Sequence, residues 1–320
     1  MDTIMLGTDP WSERVLSAIK ESPHQATLNA WAEGKNPLEY DTPYVEYLTI
    51  QKRTPREKAE RLQDAFHELS KTREWRDTEP RNESGTWRGP ITFRVRADGD
   101  IGCDDGFHRL NILHHRGEPL VGWVAERAPE WVALRESVRV KLDTKGWKGK
   151  LYHPIPHPDF GGWPVHHPSP PPLVGMVVKY GLRRVLDLGT HFGYALYSLR
   201  NHVGEGIGVE RDPVACSVAK LVLSRSRMTA VREDLAKFLR RAPEVDLVLA
   251  LNVLHHVPLD EVLALIRAKF VAVSLPNPSE AGSQKLPPDP YEYVRRKLRA
   301  SVVWEAPFEG RRLQLLRVDS

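Results

Sequence analysis

The sequence predicts an α/β protein in two parts. Residues 173–320 form a doubly wound, mainly parallel sheet, residues 1–142 form a smaller α+β module, and residues 143–172 connect them. Three observations carry this. From Leu173 onward, short apolar runs alternate with helical segments, as a parallel sheet with crossover helices requires. Within that half, VLDLGTHFGYALYSLRNHVGEGIGVE (Val185 to Glu210) reads as a strand, a glycine turn, a helix and a second strand that ends in an acid. Ahead of it, LYHPIPHPDFGGWPVHHPSPPP is dense in proline and histidine, which makes it a semi-rigid joint.

The C-terminal elements follow in order. A helix is expected over Leu173 to Tyr180, then the strand at Val185 to Leu188, a helix from Tyr194 to Asn201 and the strand Gly206 to Glu210. Pro213 to Arg225 is helical, Met228 to Arg232 a strand and Leu235 to Arg241 a helix. The strand Val245 to Ala250, the helix Leu259 to Arg267 and the strand Phe270 to Ser274 come next. After the polar run Ser274 to Glu280, the helix Tyr291 to Ala300 leads into a closing hairpin, Ser301 to Glu305 with Leu313 to Val318.

The glycine turn, Asp187-Leu-Gly189-Thr190-His191-Phe-Gly193, bears on the ligand. Glycines let the backbone turn tightly and approach a bound molecule, and Glu210 stands about 20 residues on, where nucleotide folds hold a ribose. Dinucleotide sites want G-x-G-x-x-G, whereas here an acid precedes the first glycine and His191 takes the middle place; an acid there repels a pyrophosphate and suits an ammonium group. The stretch resembles motif I of the class I S-adenosylmethionine-dependent methyltransferases, and the likeness extends from Leu173 to Ser320. The resemblance implies the seven-stranded, Rossmann-like methyltransferase sheet, with S-adenosylmethionine held by Asp187, Gly189, Thr190, Gly193, Glu210 and Arg211. It also implies an adenine contact at Asp234 and Leu235, and a strand end at Asn252 facing the methyl group. Asp234 is equally an N-cap for the helix it precedes. His255 and His256 are the candidate general bases, since neutral imidazole titrates near physiological pH; the alternative is that one packs in the core and the other caps a helix. The strand end Leu251-Asn252-Val253-Leu254 lacks the Asn/Asp-Pro-Pro-aromatic of DNA amino-methyltransferases, which disfavours a nucleic-acid base as acceptor. The expected acceptor is an O or N group on a small molecule, a sugar, a lipid-linked group or a protein.

With 41% hydrophobic and 28% charged residues, the chain of 320 residues is that of a core-forming protein long enough for two domains. It holds no run of about 18 apolar residues and no signal-peptide pattern, so neither a membrane span nor secretion is expected. Two cysteines, Cys103 and Cys216, fall in different halves and support no disulfide framework, and the expected location is the cytoplasm. The net charge of +4 conceals a basic C-terminal half and a slightly acidic N-terminal one.

In the N-terminal half, Trp11 to Lys20 has helical spacing, prolines Pro23, Pro37 and Pro43 interrupt any long helix up to Thr54, and Arg56 to Lys71 is a stronger amphipathic helix. Residues 72–90 are polar and read as a loop. Ile91 to Arg96 and Ile101 to Cys103 form a hairpin, followed by Asp104-Asp105-Gly106-Phe107-His108-Arg109-Leu110, a helix to His115 and a strand from Leu120 to Ala125. Asp105, Gly106, His108 and Arg109 form a candidate phosphate seat, where helix N–H groups and a guanidinium converge on an anion. This run resembles the D-G-x-H-R signature of the ParB/sulfiredoxin-like superfamily, which implies nucleotide binding, with ATP as the candidate ligand. Phe107 replaces the sulfiredoxin cysteine, so that chemistry is not expected. The alternative is that Asp105, His108 and Arg109 only knit helix to sheet.

Pro129 to Leu142 reads as a helix. In the joint, His153, His157, His166 and His167 lack the spacing of a zinc site, and no metal is expected. The joint reads instead as a cover, with Tyr152, Phe160 and Trp163 packed on the C-terminal half. The expected function is methyl transfer; the rivals are a nucleotide-dependent kinase or NTPase acting through the N-terminal module, a bifunctional kinase-methyltransferase, and a non-enzymatic binding protein.

Overall fold

The computed structural model of the chain describes residues 3–7, 9–34, 42–71, 91–144, 149–277 and 285–319. The stretch 72–90 read as a loop, Pro37, and the end of the polar run after Asn277 lie outside them. Two compact units result: Met1–Ala133 with His157–Gly162, and Leu134–Pro156 with Trp163–Ser320.

The first unit holds a sheet of strands β1 (Thr3–Leu6), β2 (Thr92–Val95), β3 (Ile101–Asp105) and β4 (Leu120–Arg127), in the order β1-β4-β2-β3. Its helices are α1 (Glu13–Lys20), α2 (Pro23–Ala32), α3 (Pro43–Glu46), α4 (Arg56–Lys71) and α5 (Phe107–His115), and α6 (Pro129–Thr144) begins in it. Two features differ from expectation. Pro23 opens a helix instead of interrupting one, because it occupies the first turn, where its missing N–H costs nothing, and Ser22 caps that turn by accepting from the Gln25 N–H. Strand β1 is too short to announce itself by alternation; it forms by antiparallel pairing with β4.

The core of this unit is aromatic, with Trp11, Tyr44, Phe66, Phe93 and Trp131 almost wholly buried. Asp159, in the inset His157–Gly162, is the buried ionic anchor: its carboxylate accepts from Arg127 Nε at 2.8 Å and Nη2 at 2.6 Å and from Trp131 Nε1 at 2.7 Å. Phe160 packs beside Trp131 at 5.9 Å between ring centroids, so it serves this unit and not the C-terminal half as expected. Removing one partner of a buried pair strands the other charge. Asp159→Ala is therefore expected to cost about 3 kcal/mol or more of stability, read as a lowered midpoint in thermal or urea unfolding.

The second unit begins with the end of α6 and the joint, then alternates through α7 (Val174–Tyr180), β5 (Arg184–Leu188), α8 (Tyr194–Leu199), β6 (Glu205–Glu210), α9 (Pro213–Leu223), β7 (Met228–Arg232), α10 (Leu235–Leu239), β8 (Val245–Leu251), α11 (Leu259–Leu265) and β9 (Ala268–Ser274). Helix α12 (Pro290–Leu298) and the hairpin β10 (Ala300–Phe308) and β11 (Arg311–Val318) close it. The seven strands lie in the order β10-β11-β9-β8-β5-β6-β7. The pairs from β9 through β8, β5 and β6 to β7 are parallel, and β11 enters antiparallel to β9. Strands β5 and β8 read as near-continuous buried runs because helices cover both faces of the sheet. Strand β10 runs on through Pro307, which the sheet edge tolerates because its outer side needs no donor.

The chain leaves β5 toward β6 on one side and returns to β8 on the other. The carboxyl ends of β5 and β8 thus flank the point where strand order reverses, the place where open α/β sheets bind ligands.

Candidate functional site

The crevice at that point is built from the loops after β5, β6 and β8. Asp187, 3% exposed near the carboxyl end of the buried strand β5, accepts from Thr190 Oγ1 at 2.6 Å. Burial, with Glu210 adding to it, pushes the Asp187 carboxyl up to about 7, against the weaker downward pull of the Thr190 hydrogen bond. Gly189 turns the chain at φ +68°, and a Cβ there would lie 2.6 Å from Val253 Cγ2, so both the turn and the fit against the β8 loop need glycine. His191 adopts φ +53°, taking the left-handed place of a middle glycine without being one. Gly193 caps α8 at φ +80°.

Glu210 ties two loops. Its Oε2 accepts from the His191 N–H at 3.0 Å and its Oε1 from the Asp212 N–H at 2.9 Å, while the Gly189 and Thr190 N–H groups both reach Val209 O. Asp212 in turn caps α9 by accepting from the Ala215 N–H and pairs with the buried Lys141 of α6. Gly208 is required here too, since a Cβ would come within 2.6 Å of Thr190.

From β8, Asn252 adopts φ +54°, donates its backbone N–H to Ser274 O at 2.8 Å and donates Nδ2 to the Tyr152 hydroxyl at 3.1 Å. Its Oδ1 is buried and has no hydrogen-bond partner among the described residues. With the two carboxyl groups, this makes an acceptor-rich floor. A pyrophosphate would be repelled; a ligand with positive charge and hydrogen-bond donors fits.

The other expected residues are placed as follows. Asp234 is exposed and caps α10 by accepting from the Lys237 N–H at 3.2 Å; Leu235 behind it is buried, and Arg211 is exposed. His255 is buried and His256 exposed, with their rings 3.8 Å apart in a single turn. In the first unit, Asp105, Gly106, His108 and Arg109 stand at the start of α5, and the side chains of Asp105, His108 and Arg109 each meet a neighbour within the unit. Arg109, 3% exposed, lies 3.7 Å from Asp105, and His108 Nε2 meets the Tyr44 hydroxyl at 2.6 Å. Burial, joined by the charges of His24 and Arg109, drives His108 down to about 2.

Tyr152, expected from the sequence to pack over this half, meets two residues that the sequence did not single out, Glu309 and Arg311. Tyr152 Oη donates to Glu309 Oε2 and accepts from Arg311 Nη1, both at 3.1 Å. The joint is pinned there by the Leu151–Val165 bridge and by His153, which stacks on Tyr194 of α8 at 5.5 Å. The signal for Glu309 was present: Glu-Gly closes a two-residue hairpin turn where Asn-Gly or Asp-Gly is usual. Among the described residues, no group of three His, Cys, Asp or Glu is placed to hold a metal, and no helix is long and apolar enough to cross a membrane.

Residues 186–269, which hold the strand, the acidic glycine loop and the second acid at this switch point, match the family described as a methyltransferase domain. Among solved structures, the bifunctional kinase-methyltransferase WbdD aligns at 18% identity over 56% of this chain and 45% of that one, with a TM-score of 0.45. The methyltransferase domain of bacterial CtHen1 aligns at 18% identity over 45% of this chain and 95% of that one, TM-score 0.38. The 16S rRNA methylase RmtB aligns at 15% identity over 46% and 61%, TM-score 0.36. This chain therefore spans less than half the length of WbdD. No curated protein matches the sequence significantly.

The raised Asp187 carboxyl has a thermodynamic sign. Between about pH 4 and 7 the folded chain binds a proton there that the unfolded chain releases, so the stability of the ligand-free protein is expected to fall as pH rises across that window. The loss from this group is at most about 4 kcal/mol at 1.36 kcal/mol per pH unit. Urea unfolding at pH 5 and 8 should show the decline in the wild type and a smaller one in Asp187→Asn.

Proposed function

We propose that the chain is an S-adenosylmethionine-dependent methyltransferase acting on an O or N acceptor. The observation that carries this reading is the acceptor-rich floor at the β5/β8 switch point, with Asp187 buried and Asn252 Oδ1 unmet, inside the stretch that matches the methyltransferase family. Asp187, Gly189, Thr190, Gly193 and Glu210 would hold the donor, with Arg211, Asp234, Leu235 and Asn252 around it. The bound cofactor supplies a methyl group on a cationic sulfur. The protein's part is to keep Asp187 and Glu210 where they meet positive charge and hydroxyl groups, and to hold the acceptor in line. Of the histidine pair, His256 is exposed and His255 buried, their rings 3.8 Å apart.

The acceptor class favoured is a small molecule, a sugar, a lipid-linked group or a protein, because the strand end at Asn252 lacks the Pro-Pro-aromatic grip on a flipped base. Residues 1–142 are read as a ParB/sulfiredoxin-like module, with residues 143–172 as connector and 173–320 as the catalytic domain. Calorimetric titration with S-adenosylmethionine tests the reading. Binding is expected in the wild type and weakened at least tenfold in Asp187→Ala; absence of binding in the wild type overturns it. A parallel titration with ATP, repeated in Arg109→Ala, decides whether the first unit holds a nucleotide.

A further inference from the structure

Five non-glycine residues among those described have positive φ: Arg53, His191, Asn252, Arg299 and Glu309. Three of them meet at one phenol. Asn252 donates to the Tyr152 hydroxyl, Glu309 accepts from it, and the His191 ring stands 6.5 Å from the Tyr152 ring, edge to face. Left-handed backbone at a residue with a side chain persists only where surrounding structure enforces it, and such residues gather at functional sites. Here the three positions come from three different loops, after β5, after β8 and between β10 and β11.

The hydrogen bonds at the phenol have one direction. Two donors, Asn252 Nδ2 and Arg311 Nη1, point at the Tyr152 oxygen, and one acceptor, Glu309 Oε2, takes its proton, all at 3.1 Å. The Glu309 side chain is 5% exposed; its Oε2 also faces Arg311 Nη1 at 3.4 Å and His167 Nε2 at 3.8 Å, and its Oε1 faces His153 Nε2 at 3.3 Å. The titratable and charged groups that meet Tyr152 among the described residues include Glu309, His153, His167, Arg311 and His191. Burial holds the Tyr152 phenol above its usual range, with the Arg311 hydrogen bond pulling against it, so it stands protonated, able to hand its proton to Glu309 Oε2 as it takes one from an acceptor. Arg311 also lines a cavity of about 850 Å³, together with Asn277, Tyr291 and Arg312.

We propose that Tyr152 and Glu309 form a proton relay for the methyl acceptor, that Arg311 is its positioning residue, and that the acceptor group is a neutral hydroxyl. This rests on the methyltransferase reading. The acceptor oxygen forms the new bond to the methyl carbon as the carbon–sulfur bond breaks with its electron pair staying on sulfur. The hydroxyl proton passes to the Tyr152 oxygen while the phenol's own proton moves to Glu309 Oε2. A phosphate or carboxylate acceptor, already ionised, would need no base; a hydroxyl needs one.

The experiment is NMR of the full chain labelled at tyrosine Cζ, with Tyr152→Phe used to assign the signal. Exchanging bound S-adenosylhomocysteine, which is neutral at sulfur, for S-adenosylmethionine, which is cationic, should lower the Tyr152 titration midpoint by about one pH unit or more. Glu309→Gln should change that midpoint while leaving the affinity for S-adenosylhomocysteine within twofold. In the S-adenosylhomocysteine complex, added glycerol should shift the signal, and phosphate and acetate should not. A Tyr152 midpoint blind to the ligand swap, no response to glycerol, or a response to phosphate or acetate alone overturns the relay. Failure of both adenosyl ligands to bind overturns instead the reading on which it rests.

Discussion

The carboxylate of Glu210 is the constraint on which the crevice depends. By accepting from the His191 and Asp212 N–H groups it fixes the loop after β5 and the loop after β6 with one group. Burial, with Glu210 adding to it, raises the carboxyl of the second acid, Asp187, so that near neutral pH it sits at the edge of ionisation. The parallel sheet makes this workable: both acids sit at carboxyl ends of neighbouring strands, where the backbone N–H groups that would receive an anion are spent on Val209 O and Glu210.

Glycine and small residues carry the geometry outward from that pair. Gly189 leaves room for Val253 and Gly208 leaves room for Thr190, so the loop from β8 and the loop from β5 close on one another without backbone distortion at either point. Asn252 then stands at the joint's Tyr152, and the joint becomes part of the second unit's site through side chains instead of through regular structure.

Much of this was legible in the sequence. The alternation from Leu173 gave the strands of the larger sheet because each is a short apolar run between helices, and the acid-glycine pattern from Asp187 to Glu210 marked the crevice because its residue types are tied to turn geometry and charge. What escaped has physical reasons. Strand β1 exists only through its pairing with β4. Pro23 reads as a breaker unless the Ser22 cap before it is recognised. Phe160 was expected on the C-terminal half, yet its inset packs with Trp131, because proline-rich connectors carry no periodicity to say which face they meet. Glu309 and Arg311 lie more than 150 residues from Tyr152, and nothing local couples a hairpin turn to a phenol so distant in the chain.

The hairpin turn at Glu309-Gly310 has both residues in the left-handed region, at φ 53° and 71°. Asparagine or glycine would relax the first of these by about 1 kcal/mol. A sturdier hairpin and a carboxylate at the phenol therefore make opposite demands on this position: the residues that relax the turn carry no charge to set beside Tyr152, so the contact is held at the expense of the turn's own stability.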